Sequence, residues 1–538
     1  MALQTLPVRG LGDIGVITDI DPSALPTNAY SRAKNVRFDE GSITRSPIFR
    51  TVLGSLSLNP RLLHGVEPVS GHSTVIVASD TYVINEYSSG SLTDRSGSIS
   101  ATSASDLPFT STTLADIIYI NREDKVPSYR ANGGTNFAAL TNWDSNWRSK
   151  SLRSYGDFLL GINMTESSTN YSSRVRWSDI TTANAIPGSW DATDATKSAG
   201  FNDLIQIKTP LIDGAVLGTV FILYSKTDVY LMEFVGGALI FNFRKVFSDI
   251  GIINQNCVVE IDSKHYVFGN DDIYVHDGTS RESICDQRTK DYIFGGLDNS
   301  KIDRCFVHWS PDLEEVYFCY PSGDDMVAFS DSDRCNRAAV FNYKNNTWSF
   351  MDLPNVTCGT IANVNSSGTY ANTSTAYNVI GGSYFSQQAN FDRHTLFAGE
   401  NNSSDGITSD KLYGLDSADQ GSLSFAIDTE ATKAPFAERT GIDMDELVPV
   451  SGYKIISKIY PQVTTPNQDK NFVFNFGAAD LIANSPNYES NVTFNASSDH
   501  KMDSRAAGRY LSYKLTTSDN KDFAFTGFDL DLMTTGRR

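Results

Sequence analysis

Three stretches far apart in the chain share one pattern: an apolar run, a short turn carrying Asp, Asn or Gly, and a second run with Tyr or Val at alternate positions. They are Thr74-Val75-Ile76-Val77-Ala78 with Ser79-Asp80-Thr81 and Tyr82-Val83-Ile84, Phe221-Ile222-Leu223-Tyr224 with Ser225-Lys226-Thr227-Asp228 and Val229-Tyr230, and His265-Tyr266-Val267-Phe268 with Gly269-Asn270-Asp271-Asp272 and Ile273-Tyr274-Val275. Each reads as a hairpin. Its two strands would be the inner pair of a propeller blade. Between residues 62 and 400 such signals group into six meanders, near 64–87, 116–130, 151–177, 216–247, 257–276 and 305–342. That is about one meander per 40 to 60 residues, the period of radially stacked sheets. The expectation is a mainly β chain with a β-propeller over 61–400, preferred to unrelated meanders in separate sandwiches.

The flanking thirds read differently. Residues 1–60 form an extended arm: Pro7, Pro22, Pro26, Pro47 and Pro60 break any long helix. A short helix is expected near 29–34, then a hairpin from Asn35-Val36-Arg37-Phe38 through Asp39-Glu40-Gly41 to Ser42-Ile43-Thr44-Arg45. Residues 401–538 read as a β-sandwich-like domain with strands near 423–428, 453–463, 471–476, 490–495, 510–516 and 523–533. Phe472, Phe474 and Phe476 alternate there, as do Phe528, Leu530 and Leu532 against Asp529 and Asp531. The Ser/Thr/Asn/Gly-rich segment 359–386 is the expected long surface loop.

Charge bears on partners. The 538 residues carry 44 Lys plus Arg against 63 Asp plus Glu, a net charge of −19. A protein that coats duplex DNA, or docks on an anionic membrane, needs the opposite face. The longest apolar run, 215–224, is far short of the roughly 20 residues that span a bilayer. Residues 1–15 lack the continuous apolar stretch of a secretory leader. The six cysteines (Cys257, Cys285, Cys305, Cys319, Cys335, Cys358) show no CxxC spacing and read as reduced, buried thiols.

Residues with chemical potential each have a plainer reading. Asp324-Asp325, Asp331 with Asp333, and Asp271-Asp272 with Asp277 offer oxygens to calcium but lack the loop spacing, so turns and solvated charge are expected. Asp19 and Asp21 before Pro22 suit Asx turns. His265, His276 and His308 alternate with Tyr, Val and Trp, as sheet-filling residues do. Arg174-Val175-Arg176-Trp177-Ser178-Asp179 with a distant Trp190 is superficially like a sialidase turn, but Trp190 lies too far from Asp179 to close it. Trp177, Trp309 and Trp348 close strands and suit packing. No catalytic, cofactor or metal residues are assigned, and no enzyme is expected.

Several motifs in order resemble the tail nozzle proteins of short-tailed bacteriophages, also called tail tubular protein B or tail stabilisation proteins. They are Gly15-Val16-Ile17-Thr18-Asp19 and Leu25-Pro26; the Asn35–Arg45 hairpin with Gly41-Ser42-Ile43; Arg176-Trp177-Ser178-Asp179 with Trp190; His265 through Gly278; Val340-Phe341-Asn342-Tyr343 with Asn346-Thr347-Trp348-Ser349 and Leu353-Pro354; and Gly508-Arg509-Tyr510, Gly527-Phe528-Asp529-Leu530-Asp531 and Gly536-Arg537. The resemblance implies a structural virion protein of the tail, assembled in the bacterial cytoplasm. It implies a homohexameric ring beneath the tail adaptor ring, carrying tail fibres or spikes and passing viral double-stranded DNA through its lumen. It brings no catalytic residues. Two rival classes make different demands. A sialidase-like glycan hydrolase needs converging carboxylates in a single-chain cleft. A receptor-binding adhesin or fibre calls for a trimer with a repetitive carboxy-terminal part.

Overall fold

The computed structural model describes residues 3–66, 74–88, 90–131, 134–330, 332–364, 393–419, 421–444, 452–466, 470–517 and 519–535. Over them the chain is mainly β, built from many small antiparallel sheets. Among the described residues the one α-helix is Lys290–Gly296.

Five four-stranded meanders follow one another. Sheet I is Pro60–Val66, Thr74–Ser79, Ile84–Ser88 and Ser91–Asp94; sheet II is Phe109–Leu114, Ile117–Arg122, Ser128–Arg130 and Ala138–Ala139. Sheet III is Trp147–Tyr155, Phe158–Glu166, Thr169–Trp177 and Gly200–Asp203. Sheet IV is Leu211–Leu217, Val220–Ser225, Asp228–Phe234 and Phe241–Ser248; sheet V is Val258–Ile261, Lys264–Phe268, Ile273–His276 and Arg281–Ser283. A longer sheet follows in the order Phe306–Ser310, Glu315–Tyr320, Cys335–Asn342, Thr347–Ala362, His394–Gly399, Lys411–Asp416, Ile48–Leu53. Its 16-residue strand Thr347–Ala362 changes partners midway. Residues 347–356 pair with Cys335–Asn342, and residues 356–362 pair with His394–Gly399.

The second strand of each meander explains the apolar runs. Successive side chains leave opposite faces of a strand, so a strand buried on both faces is apolar throughout. Val75 and Val77 enter a core shared with Leu396, Ala398 and Leu412, while Ile76 and Ala78 enter one shared with Phe109, Ile118 and Ile120. Ile117 and Tyr119 then join Leu152 and Leu159. Phe158 and Leu160 join Phe221 and Leu223, and Ile222 and Tyr224 join Val267 and Phe268. Each sheet is thus a two-sided layer between its neighbours. The first strands touch in succession from sheet I to sheet V, then Phe306–Ser310, then Thr347–Ala362, which touches Pro60–Val66 and returns to the start. The approach there is close: Gly65 N–H donates to Thr360 Oγ1 at 2.9 Å, and a Cβ on Gly65 would lie 2.2 Å from the Ile361 carbonyl oxygen.

Two further sheets lie at the carboxy-terminal end, and residues of the 1–60 segment are woven through them. Leu3–Arg9 pairs along Ala524–Thr535, Arg32–Lys34 pairs with Phe436–Ile442, and Ser42–Arg45 joins Ala524–Thr535. Pro7 fits because, among the described residues, Leu3–Arg9 has a neighbour on one side only, which leaves its missing donor outside the ladder. The expected helix near 29–34 does not form. Ala29–Tyr30 and Arg32–Lys34 are strands, because tertiary pairing overrides local propensity. The strand expected at 423–428 is replaced by a single bridge, Ile427 to Arg50, and the next strand is Phe436–Ile442, paired on one side with Tyr510–Thr517 and on the other with Arg32–Lys34. The first part of the expected loop, 359–362, is strand; residues 365–386 lie outside the described residues.

Candidate functional site

The first strands of the five meanders, with Phe306–Ser310 and Thr347–Ala362, line one open cavity of about 610 Å³. Its polar character concentrates where those strands begin. Arg61 is the second residue of its strand, Asp106 stands just before Phe109–Leu114, and Arg304 stands just before Phe306–Ser310. Arg334 precedes Cys335–Asn342. Asp106 receives Arg61 Nη2 at 2.9 Å, Arg334 Nη2 at 2.5 Å and Arg304 Nη2 at 3.5 Å. Arg61 also pairs with Glu400, which takes Arg334 Nε at 2.6 Å. Arg304 further pairs with the exposed Asp333. Burial pushes the Asp106 carboxyl up, but Arg334 and Arg61 pull it down further, for a net lowering.

A second ion pair on this wall ties neighbouring sheets together. Arg153 grips the buried Asp213 with Nε at 2.8 Å and Nη2 at 2.5 Å. The same guanidinium donates to Asn256 Oδ1 at 2.8 Å and to the Ser111 carbonyl at 3.2 Å. One side chain of sheet III therefore reaches sheets II and IV and the entry to sheet V. Such a bidentate, fully hydrogen-bonded pair fixes orientation as well as charge.

The residues singled out in the sequence have structural partners. His265 and His276 flank Tyr224, whose Oη lies 2.6 Å from His265 Nδ1 and 2.6 Å from His276 Nε2. Burial lowers His265 to about 4 and His276 and His308 to about 3. His308 is apart from the other two, facing Thr395 and the Phe397 ring. Arg174 forks onto Asp203 at 2.8 Å twice, and Arg174 and Arg176 share Glu166 at 3.0 Å each. They stack between rings in the order Trp147, Arg176, Phe201, Arg174, Tyr171. Trp190 packs edge-on against Trp143, and the Asp179 N–H closes its loop onto the Ser189 carbonyl.

Of the described carboxylates, Asp324 and Asp325 share a hydrogen bond: burial and that bond raise Asp324, and the same bond lowers Asp325. Asp277 caps its turn, accepting from the Thr279 and Ser280 N–H groups at 2.8 and 2.7 Å; Asp272 accepts from Ser283. Asp324 meets Tyr292 and Arg337, Asp325 meets Arg32 at 3.2 Å, and Asp333 meets Lys301 at 3.2 Å. Asp331 lies outside the described residues. Asp21 forms the expected Asx turn with Ser23. Among the described residues no three His, Cys, Asp or Glu side chains gather in a way that could hold a metal ion. All six cysteines are free thiols, five of them buried, and burial raises their pKa values. Trp348 is fully buried and donates to the Ile284 carbonyl at 2.9 Å.

Sequence reasoning missed the cluster of Arg61, Asp106, Arg304, Arg334 and Glu400. The signal available was positional: a charged residue one to three places before several strands that start at the same end.

No protein-family model and no curated protein matches the chain. Among solved structures, it is similar to "Structure of U3-55K" at 9% identity and TM-score 0.31, covering 55% of this chain and 86% of that one. It is also similar to "AfRom2 CNH domain" at 7% identity and TM-score 0.36, covering 70% of this chain and 100% of that one. Among the described residues no helix is long and apolar enough to cross a membrane.

Proposed function

We propose that this chain is a structural subunit of the nozzle ring that ends the tail of a short-tailed phage, resident in the virion tail. The five meanders and the two halves of the long sheet are read as seven blades of a β-propeller. Ile48–Leu53, from the amino-terminal segment, would supply the outer strand of the last blade. Alternating two-sided cores and a succession of first strands that returns to its start support that reading.

The observation that carries the functional reading is where the resembling motifs meet. Gly15 pairs in register with Trp348, and a Cβ on Gly15 would lie 2.8 Å from the Trp348 carbonyl oxygen. Asn35 Nδ2 donates to Asp352 at 2.8 Å, and Thr347 Oγ1 to the Phe38 carbonyl at 3.2 Å. Gly527 lies so close to Val8 that a Cβ would be 2.2 Å from its carbonyl oxygen. Motifs at opposite ends of the sequence thus interlock as one framework. This is the property expected of a wall segment whose residues serve shape. Self-association has a candidate surface at the rim of sheets III and IV, where Ile205, Phe234, Val235 and Leu239 are exposed. A conduit should not hold its cargo, and copies at −19 each repel phosphate near the wall. That repulsion fades beyond a Debye length of roughly 8 Å, so it limits sticking without gating the channel.

The test is native mass measurement and negative-stain imaging of the purified chain, alone and with its adaptor ring. Six-fold rings are expected. A monodisperse monomer that forms no ring under either condition and hydrolyses sialosides would sink the reading.

A further inference from the structure

In a chain of net charge −19, the described residues that line the cavity bring four arginines together, Arg61, Arg153, Arg304 and Arg334, with Asp106 and Asp303 and no lysine among them. Arg153 is matched by Asp213. The other three guanidiniums converge on Asp106, with Glu400 as the second carboxylate and Asp333 on the outer side of Arg304. Burial within this cluster is uneven. The side chains of Arg61 and Arg334 are each 8% exposed, whereas that of Asp106 is 51% exposed. The cations are thus set in the wall by their own sheets, and the anion sits on the solvent side, where an incoming group would arrive. The cradle is also not saturated. Arg61 Nε and Arg304 Nε are buried and have no acceptor among the described residues. A carboxylate presents two oxygens to this set, and a tetrahedral oxyanion presents more.

We propose that Arg61, Arg304 and Arg334 form a binding site for a small oxyanion, phosphate or carboxylate, which Asp106 occupies from within the chain. Removing Asp106 frees the Nη donors that Arg61, Arg304 and Arg334 direct at it, and an external oxyanion in its place accepts them. This inference is independent of ring assembly and of the virion role: it concerns one subunit and survives if the chain proves monomeric.

The test is binding of inorganic phosphate to full-length chain carrying Asp106→Ala, read by calorimetry and by the phosphate dependence of Tm, with sodium chloride at matched ionic strength as control. The variant should bind phosphate about tenfold more tightly than the unaltered chain, with a saturable rise in Tm that chloride does not reproduce. Acetate in place of phosphate separates the two oxyanion chemistries; response to either supports the site. Arg334→Gln added to Asp106→Ala should abolish the gain. Equal phosphate response in the variant and the unaltered chain, or a gain that persists without Arg334, overturns the proposal. Should Asp106→Ala not fold in chloride, refolding in phosphate is the expected rescue. If it folds in neither, Asp106→Asn, which keeps the shape and removes the charge, takes the same measurement. No gain in that variant also overturns the proposal.

Discussion

The hydrogen bonds around Tyr224 fix every proton in its cluster. Gly278 N–H donates to His276 Nδ1 at 3.1 Å, so His276 carries its proton on Nε2 and donates it to the Tyr224 oxygen. His265 Nε2 faces the Val216 carbonyl at 2.6 Å and must donate there, which leaves Nδ1 to accept from the Tyr224 hydroxyl. The result is a one-directional chain from sheet V to sheet IV in which both imidazoles are neutral and every buried polar atom is matched. Replacing Tyr224 with Phe removes one oxygen but orphans two groups, the His276 donor and the His265 acceptor. Stability should fall by about 3 kcal/mol, the usual cost of two unmet buried polar groups. Denaturant unfolding followed by tryptophan fluorescence measures it; a loss below about 0.5 kcal/mol would mean that the pair relaxes to water at no cost.

At the scale of elements, the segment 1–60 matters most where it leaves its neighbours. It supplies Leu3–Arg9, Val36–Asp39 and Ser42–Arg45 to one carboxy-terminal sheet, Arg32–Lys34 to the other, and Ile48–Leu53 to the long sheet. Leu6, Val8, Phe38 and Ile43 share a core with Phe474, Phe525 and Phe528. A fragment covering residues 419–538 should therefore fail to give a dispersed amide NMR spectrum alone, and should fold when residues 1–45 are fused to its amino terminus. A well-dispersed spectrum from the isolated fragment would contradict this. The same weave marks how far the sequence was legible. Strands buried on both faces, such as Thr74–Ser79 and Val220–Ser225, announced themselves as apolar runs, since their periodicity is local. Leu3–Arg9 and Arg32–Lys34 did not, because their pairing partners lie some 400 to 530 positions away and no local pattern encodes them. The arginine cradle was hidden for the same reason: its five residues span Arg61 to Glu400, and none is unusual in its own neighbourhood.

For the whole molecule, buried neutral histidines set a limit on the acid side. His265, His276 and His308 titrate in the folded chain at about 4, 3 and 3, against 6.5 for an unhindered imidazole. Burial opposes their charge in the folded state, and unfolding releases it. Above pH 6.5 both states are neutral at these positions and stability is full. As pH falls from 6.5 towards 4, the unfolded chain takes up protons that the folded chain refuses, so stability drops. With His64, which burial and Arg130 likewise lower to about 4, the four groups together give a steepest slope of about 5 kcal/mol per pH unit. Carboxylates held low by partners, such as Asp106 and Asp203, act in the same direction from about pH 5 downward, as the unfolded chain begins to protonate them. The stretch from pH 6.5 to about pH 5 therefore belongs to the histidines. The Tm should decline already there, before carboxylate titration contributes. Replacing His308 with Gln, which keeps a polar tip but does not titrate, should flatten that decline by about a quarter. An unchanged slope in the His308→Gln chain would place the acid sensitivity elsewhere and show that His308 finds water when it is charged.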